Sequence, residues 1–283
     1  MLASHQATLA PTLLLTCLLS LLPISATAQL LPLWEAGLGI ASIYMPDYRG
    51  SKHYRMYALP FPYMVYRGDK LRLDRQGLRG VFFDTERVYL DFSAAASAPV
   101  DSSDNDLRTG MPDLDPALQL GPSLKINIWG REETRKFINI ALPVRKVVVT
   151  NFSRYEAQGY LANPLINLNY GRFHPYEWNL GLAYGPIYTD RQYHDYYYSV
   201  SSRYATDERP EYHARSGFSG TRLTLTASTR RGKYWIAGFA IYDNLANSVI
   251  RDSPLVEANY SFLLGLTASW LFGASDIMVL PKD

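Results

Sequence analysis

The chain has 283 residues, with 28 Lys plus Arg against 26 Asp plus Glu and a formal net charge of +2. That balance excludes the concentrated basic face that nucleic-acid binding requires. The single Cys, Cys17, excludes an internal disulfide framework. Tyr is the unusual residue, at 22 against 11 Phe and 5 Trp, and amphipathic rings at this density suit an interface between water and lipid.

The first element is an export signal. "ATLAPTLLLTCLLSLLPISATA" (Ala7 to Ala28) is apolar and ends in a small-x-small site, which predicts cleavage after Ala28 and loss of Cys17 with the leader. Beyond it no run of about 18 apolar residues occurs, so no spanning helix is expected.

Period-two alternation takes over instead. In "NYSFLLGLTASWLF" one face carries Tyr260, Phe262, Leu264, Leu266, Trp270 and Phe272; the other carries Ser261, Gly265, Thr267 and Ser269. "EWNLGLAYGPIYT" repeats the pattern. In "GTRLTLTASTR", Leu223 and Leu225 oppose Arg222, Thr224, Thr226 and Arg230, which become candidate lumen residues. Several segments approach the 9–11 residues that a tilted strand needs to cross a bilayer. Twelve strands are expected, at about 34–44, 57–67, 70–76, 79–83, 87–97, 117–129, 134–149, 157–170, 176–189, 212–230, 233–242 and 259–272. Connectors alternate between short ("GD", "DTE", "REE", "GRFHP", "RG") and long (45–56, 98–116, 190–211, 243–258). Short turns on one side and long loops on the other are the pattern of an all-β, closed antiparallel transmembrane barrel with periplasmic termini. The organisation predicted is a signal peptide at 1–28, a barrel at 29–272 and an extension at 273–283. Prolines inside strands (Pro60, Pro62, Pro122, Pro143, Pro164, Pro186) are expected to mark bulges.

Chemistry is sparse. "YTDRQYHDYYYSV" (Tyr188 to Val200) places His194 beside Asp195 among tyrosines. In an extended chain the two point to opposite faces. An aromatic girdle near the outer headgroups is the reading the residues favour over a hydrolase. His53, His174 and His213 form no metal-ligand spacing. "DSSDNDLRTGMPDLD" (Asp101 to Asp115) lacks the Gly and Glu of a calcium loop and reads as a solvated external loop. "NFS" (151–153) matches a glycosylation sequon by pattern only. No cofactor is expected.

Three stretches resemble one family. "YMPDYRGSKHYRMYALPFPYMVYR" resembles the opening hairpin of the MltA-interacting protein/OmpV family, with Pro46, Asp47, Tyr48 and Gly50 as its core. The Tyr-rich segment is similar to that family's central stretch, here Tyr188, Asp190, Tyr197 and Tyr198. "DSPLVEANYSFLLGLTASWLF" is similar to its closing hairpin, with Ser253 and Pro254 before the last strand. The resemblance implies a non-enzymatic Gram-negative outer-membrane barrel held in lipid. It also implies partnership with a murein lytic transglycosylase and a peptidoglycan synthase, or a surface role. A small pore and a barrel hydrolase are the alternatives. The short turns "GRFHP" and "RRGK" carry Arg172, Arg230, Arg231 and Lys233, a modest basic edge expected to face the periplasm and meet an acidic protein surface. The family commonly stops at a terminal aromatic; the matching Phe272 is followed here by "GASDIMVLPKD".

Overall fold

A computed structural model describes residues 30–279, apart from 69–70, 75–76, 81–86, 132–135, 152 and 174–176. The expected leader, its cleavage site and Cys17 lie outside the described residues, as do His174 and the turn "DTE".

In chain order, β1 (Leu31–Pro32) and β2 (Trp34–Pro46) lead to β3 (Tyr54–Arg67), β4 (Leu71–Asp74), β5 (Gly77–Gly80) and β6 (Val88–Ser97). Next come β7 (Ala117–Arg131), β8 (Lys136–Thr150), β9 (Tyr155–Ala162), β10 (Leu165–Phe173) and β11 (Trp178–Thr189). A helix, α1 (Arg191–Tyr198), precedes β12 (Gly217–Arg231), β13 (Tyr234–Asn244), β14 (Tyr260–Ala274) and β15 (Met278–Val279). All strands but β1 and β15 form one 13-stranded antiparallel sheet, ordered β5-β4-β3-β2-β14-β13-β12-β11-β10-β8-β7-β6. The meander returns on itself because β14, the last long strand, pairs with β2, the first. The order therefore starts and stops at β5 and β6, which are consecutive in the chain and lie side by side.

The expected strand at 157–170 is two strands. β9 and β10 separate at Asn163-Pro164, and each pairs with both β8 and β11, so together they fill one place in the order. Pro164 has no amide hydrogen to continue the ladder, and Asn163 instead donates its side-chain Nδ2 to the Pro186 carbonyl at 2.7 Å. Pro186 itself stands at a register shift. The other four prolines do not mark register shifts, contrary to expectation.

Pro60 and Pro62 have a clear reason. Arg67 N bonds to Leu33 O, and Asp47 N bonds to His53 O, so odd-numbered residues of β3 face β2 with their backbone polar groups. Even-numbered residues point the other way. Pro60 and Pro62 thus remove amide hydrogens from the edge opposite β2, where β4 pairs only with Tyr66 and Arg67. Among the described residues β3 has no other partner on that edge, and two missing donors suit an unpaired edge. At the other end of the order, β6 turns its even-numbered backbone groups away from β7, by the Asn127 N to Arg87 O bond. The Phe92 amide is satisfied there by the Asp91 carboxylate at 2.7 Å.

Facing follows the alternation. Along β14, Tyr260, Phe262, Leu264, Leu266, Trp270 and Phe272 are exposed, and Ser261, Gly265, Ser269 and Leu271 are buried between them. Leu225 is 46% exposed and stands in register with exposed Leu182 and Leu264, through Ala240. The polar face is the concave one. Tyr63 on β3 packs on Trp235 on β13 at 5.2 Å between centroids, spanning the intervening β2 and β14. An apolar convex face with a polar concave face is the arrangement that lipid around a barrel demands.

The two ends of the sheet differ. At one end the segments 47–53, 98–116, 190–216 and 245–259 pack together as a cap. Its core contains Tyr48, Val100, Leu114, Tyr193, Tyr197, Tyr198, Val200, Leu245, Ile250 and Leu255. At the other end the extension after Phe272 folds back. β15 pairs with β1, and Leu33 and Ser275 add backbone bonds to Ile277 and Trp34.

Candidate functional site

The Tyr-rich stretch is not a girdle. Residues 191–198 form α1, and Tyr193, His194, Tyr197 and Tyr198 are buried. The expectation assumed an extended chain, whereas positions 193, 194, 197 and 198 lie on one face of a helix. Asp190 starts it: its carboxylate accepts the Tyr193 amide at 2.9 Å, a side-chain N-cap, and also accepts the Tyr160 amide of β9. Tyr193 and Tyr197 then pack ring against ring one turn apart, tilted, with centroids 5.0 Å apart. Only Tyr188, at the end of β11, keeps an exposed ring, beside Phe218.

The family-like residues meet one another in this cap. Asp47 is buried and accepts Arg55 Nε at 2.7 Å and Asn105 Nδ2 at 2.9 Å. Tyr48 meets Tyr198 edge to face at 6.1 Å. Gly50 has φ +92, which favours glycine; its amide donates to Ser261 Oγ at 2.6 Å, and its carbonyl accepts from Glu257 and Ala258. Ser253 donates to the Tyr198 carbonyl at 2.7 Å, and Tyr198 donates its hydroxyl to the Arg49 carbonyl. Pro46 ends β2, and Pro254 follows Ser253 in the same packed segment. Stretches about 150 and 200 residues apart in sequence thus share one backbone network.

The acidic 101–115 segment is packed rather than merely solvated. Two 3₁₀ turns (Ser102–Asp104 and Asp106–Arg108) bring Asp104 to Arg55 at 2.9 Å and bury Asn105 and Arg108. Arg209 clamps it from the 190–216 segment, donating to the carbonyls of Leu107 and Thr109. Among the described residues no group of three or more His, Cys, Asp or Glu could hold a metal.

His194 and Asp195 do not meet. Asp195 faces Arg191 and Ser199 on the outer side of the helix. His194 is fully buried, with Nδ1 against the Arg215 carbonyl and Nε2 against the hydroxyls of Thr189 and Ser219, the latter at 2.9 Å. A carbonyl only accepts, so Nδ1 carries the proton and Nε2 accepts from the hydroxyls. Burial pushes the His194 pKa below its usual value, with only partial opposition from that backbone bond. Burial also raises the phenols of Tyr197 and Tyr198, and that of Tyr196 to about 12. This serine-histidine contact was invisible in the sequence, because Ser219 lies 25 residues away on another element. Ser219 and His194 are both closed to solvent, so the pair holds α1 against β12 rather than meeting a substrate.

Beneath the cap, two ion clusters occupy the polar face. Arg222 sits opposite Asp243 across β12 and β13 and makes two bonds of 2.7 Å to it; Arg49 adds a third at 2.9 Å. At the far end buried Glu35 accepts from Arg67 at 2.6 Å and from Arg230. Thr224 and Thr226 stand between the clusters on the same face, and Thr226 is exposed. Arg230, expected in a free basic edge with Arg172, Arg231 and Lys233, is instead committed to Glu35.

A sequence profile of the MltA-interacting protein MipA matches residues 38–272. No curated protein matches the chain. Similar solved structures include the toluene transporter TbuX of Ralstonia pickettii, at 9% identity and TM-score 0.24, covering 87% of this chain and 78% of that one. A FadL homologue of Pseudomonas aeruginosa has 8% identity and TM-score 0.31, with coverages of 84% and 89%. The toluene transporter TodX of Pseudomonas putida has 7% identity and TM-score 0.25, with coverages of 84% and 88%. With its apolar convex face and its match across most of its length, this outer-membrane chain belongs to the MltA-interacting protein family.

Proposed function

We propose that the chain is a non-enzymatic outer-membrane scaffold that docks a murein lytic transglycosylase, and through it a peptidoglycan synthase, at the end where β1 pairs with β15. The family description, a protein that interacts with the transglycosylase MltA, supports the class of partner. The surface that supports the location is the β1–β15 pair, where Leu30, Ile277 and Met278 are exposed together. With periplasmic termini this patch faces the cell wall. It replaces the basic edge as the docking feature, because Arg230 is bound to Glu35. Apolar anchors ringed by charge are the usual core of a binding surface, and exposed charges alone contribute little.

A photo-crosslinker at Met278 is expected to capture a transglycosylase in cells, while one at Asp207 in the cap captures none. With the crosslinker kept at Met278, Leu30→Glu with Ile277→Glu should abolish the capture without changing barrel assembly. Capture from Asp207 alone would move the role to the cell surface. Capture from neither site would remove the scaffold reading.

A further inference from the structure

Between β3 and β6 the wall is joined only at its two ends. At the end away from the cap, β4 pairs with β3 at Tyr66 and Arg67, and β5 lies beside β6. At the cap end, the segment that follows β6 reaches back to β3, where Asp104 accepts from Arg55 at 2.9 Å. Ser97, the last residue of β6, meets the Tyr197 hydroxyl of α1 at 3.5 Å. Between these joints, among the described residues, no strand pairs with Tyr54 to Val65 on the edge of β3 opposite β2. None pairs with β6 on its edge away from β7. β3 and β6 do not run side by side themselves. The frame therefore encloses an opening in the wall.

Hydrocarbon offers no hydrogen bonds, so pairing β3 with β6 would be strongly favoured if their edges allowed it. They do not. Pro60 and Pro62 take two donors out of the β3 edge, and the Asp91 carboxylate occupies the Phe92 amide of the β6 edge at 2.7 Å. The same features disfavour a strand added from another chain. The sides of the opening are apolar both outside and inside. Met56, Pro60, Pro62 and Phe92 are exposed on the convex face. On the concave face the odd-numbered residues of β3 continue the row that holds buried Tyr63. Leu59 is 53% exposed there, whereas the concave positions of β14 and β12 include Ser261, Ser269 and Thr226. Phe61, next in the row, packs on the Tyr63–Trp235 cluster. Gly39 makes room for it, because a Cβ there would stand 2.6 Å from the Phe61 ring.

We propose that the opening between β3 and β6 admits an acyl chain of a membrane lipid, which lies on Leu59 and Phe61 inside the wall. Hydrocarbon outside and apolar side chains inside form one continuous path, so the chain enters without crossing a polar surface. The amides and carbonyls left on the two edges turn to water in the concave space, the condition under which an open backbone edge is tolerated at membrane depth. The site lies in the wall and does not depend on the docking surface formed by β1 and β15.

The test uses the full chain with Cys17→Ser, so that a single introduced thiol carries a bimane label. The protein is refolded into phosphatidylcholine vesicles whose acyl chains are either plain or brominated, because bromine quenches only at short range. A label at Leu59→Cys should lose most of its fluorescence in the brominated vesicles, as a label at convex Met56→Cys does. A label at Thr226→Cys is the control: it is exposed on the concave face of β12, which is paired on both sides. Bromine should leave it unchanged, and aqueous iodide should quench it. Should Leu59→Cys not refold, Tyr57→Cys stands on the same face of the same strand and should respond to bromine likewise. Bromine quenching at Leu59 supports the proposal whether or not iodide also reaches the label. A Leu59 label that answers to iodide alone overturns it, because the opening then holds only water. A label shielded from both quenchers also overturns it, and means that a protein strand covers the edge.

Discussion

At the scale of single residues, the structure reverses one expectation about cost. A lumen arginine facing water would be cheap to remove, but Arg222 makes two of the three bonds that satisfy Asp243. Arg222→Ala should therefore destabilise by about 1–3 kcal/mol, the range for leaving buried polar groups unpaired. Leu225→Arg should cost about 2–4 kcal/mol if Leu225 lies near the bilayer midplane. Urea titrations of the refolded protein in lipid vesicles would rank them; a neutral Arg222→Ala would mean that Arg49 alone suffices. Gly50 makes a sharper case. At φ +92 a side chain is strained, and a Cβ would lie 3.1 Å from Val256 Cγ1. Gly50→Ala should cost about 1–3 kcal/mol, the scale of backbone strain. The loss should be read as a loosened cap, with protease cleavage in 245–259 rising before the sheet melts.

At the scale of elements, α1 is held by its start and by a neutral histidine. Asp190→Ala removes the N-cap and the Tyr160 bond and should cost about 1 kcal/mol or more of cap stability. The pH dependence follows from His194. Burial lowers its folded pKa below the unfolded value of about 6.5. Above that value both states are neutral and the cap has its full stability. As pH falls below it, the unfolded segment takes up a proton that the folded cap refuses, so stability declines. Protection of the 190–200 amides, taken relative to the intrinsic exchange rate at each pH, should be lower at pH 5 than at pH 7.5, and His194→Asn should flatten the difference. Equal protection of the parent at both values would end this argument. The helix was partly written in the sequence: Asp190, followed by aromatic residues at 193, 196, 197 and 198, has the spacing of a capped helix. What the sequence hid was the surface it packs on, built from Arg49, Ser219 and Ser253. The strands were legible for the opposite reason. A lipid-facing row must be apolar at every second residue, so β14 announces itself without its neighbours. The prolines misled because their effect depends on which edge the amide faces, and that is set by pairing.

At the scale of the whole molecule, the question is whether the concave space conducts. The cap packs over one end with a core that includes three tyrosines of α1. At the other end Tyr63, Val65, Trp235 and Leu271 form a second buried cluster, with the Glu35–Arg67–Arg230 set beside it. Between them Thr226 and Leu59 are exposed. A buried cluster thus stands at either end of the concave space. A single lesion should then be insufficient to open it. Trp235→Ala alone, or Asp190→Ala alone, should leave planar-bilayer conductance at the parent's low level, and the double variant should raise it well beyond the sum of the two. Steady conductance in the parent would favour the pore over the scaffold. A conducting Trp235→Ala single variant would show that the cap is porous and that ions pass it without α1 having to move.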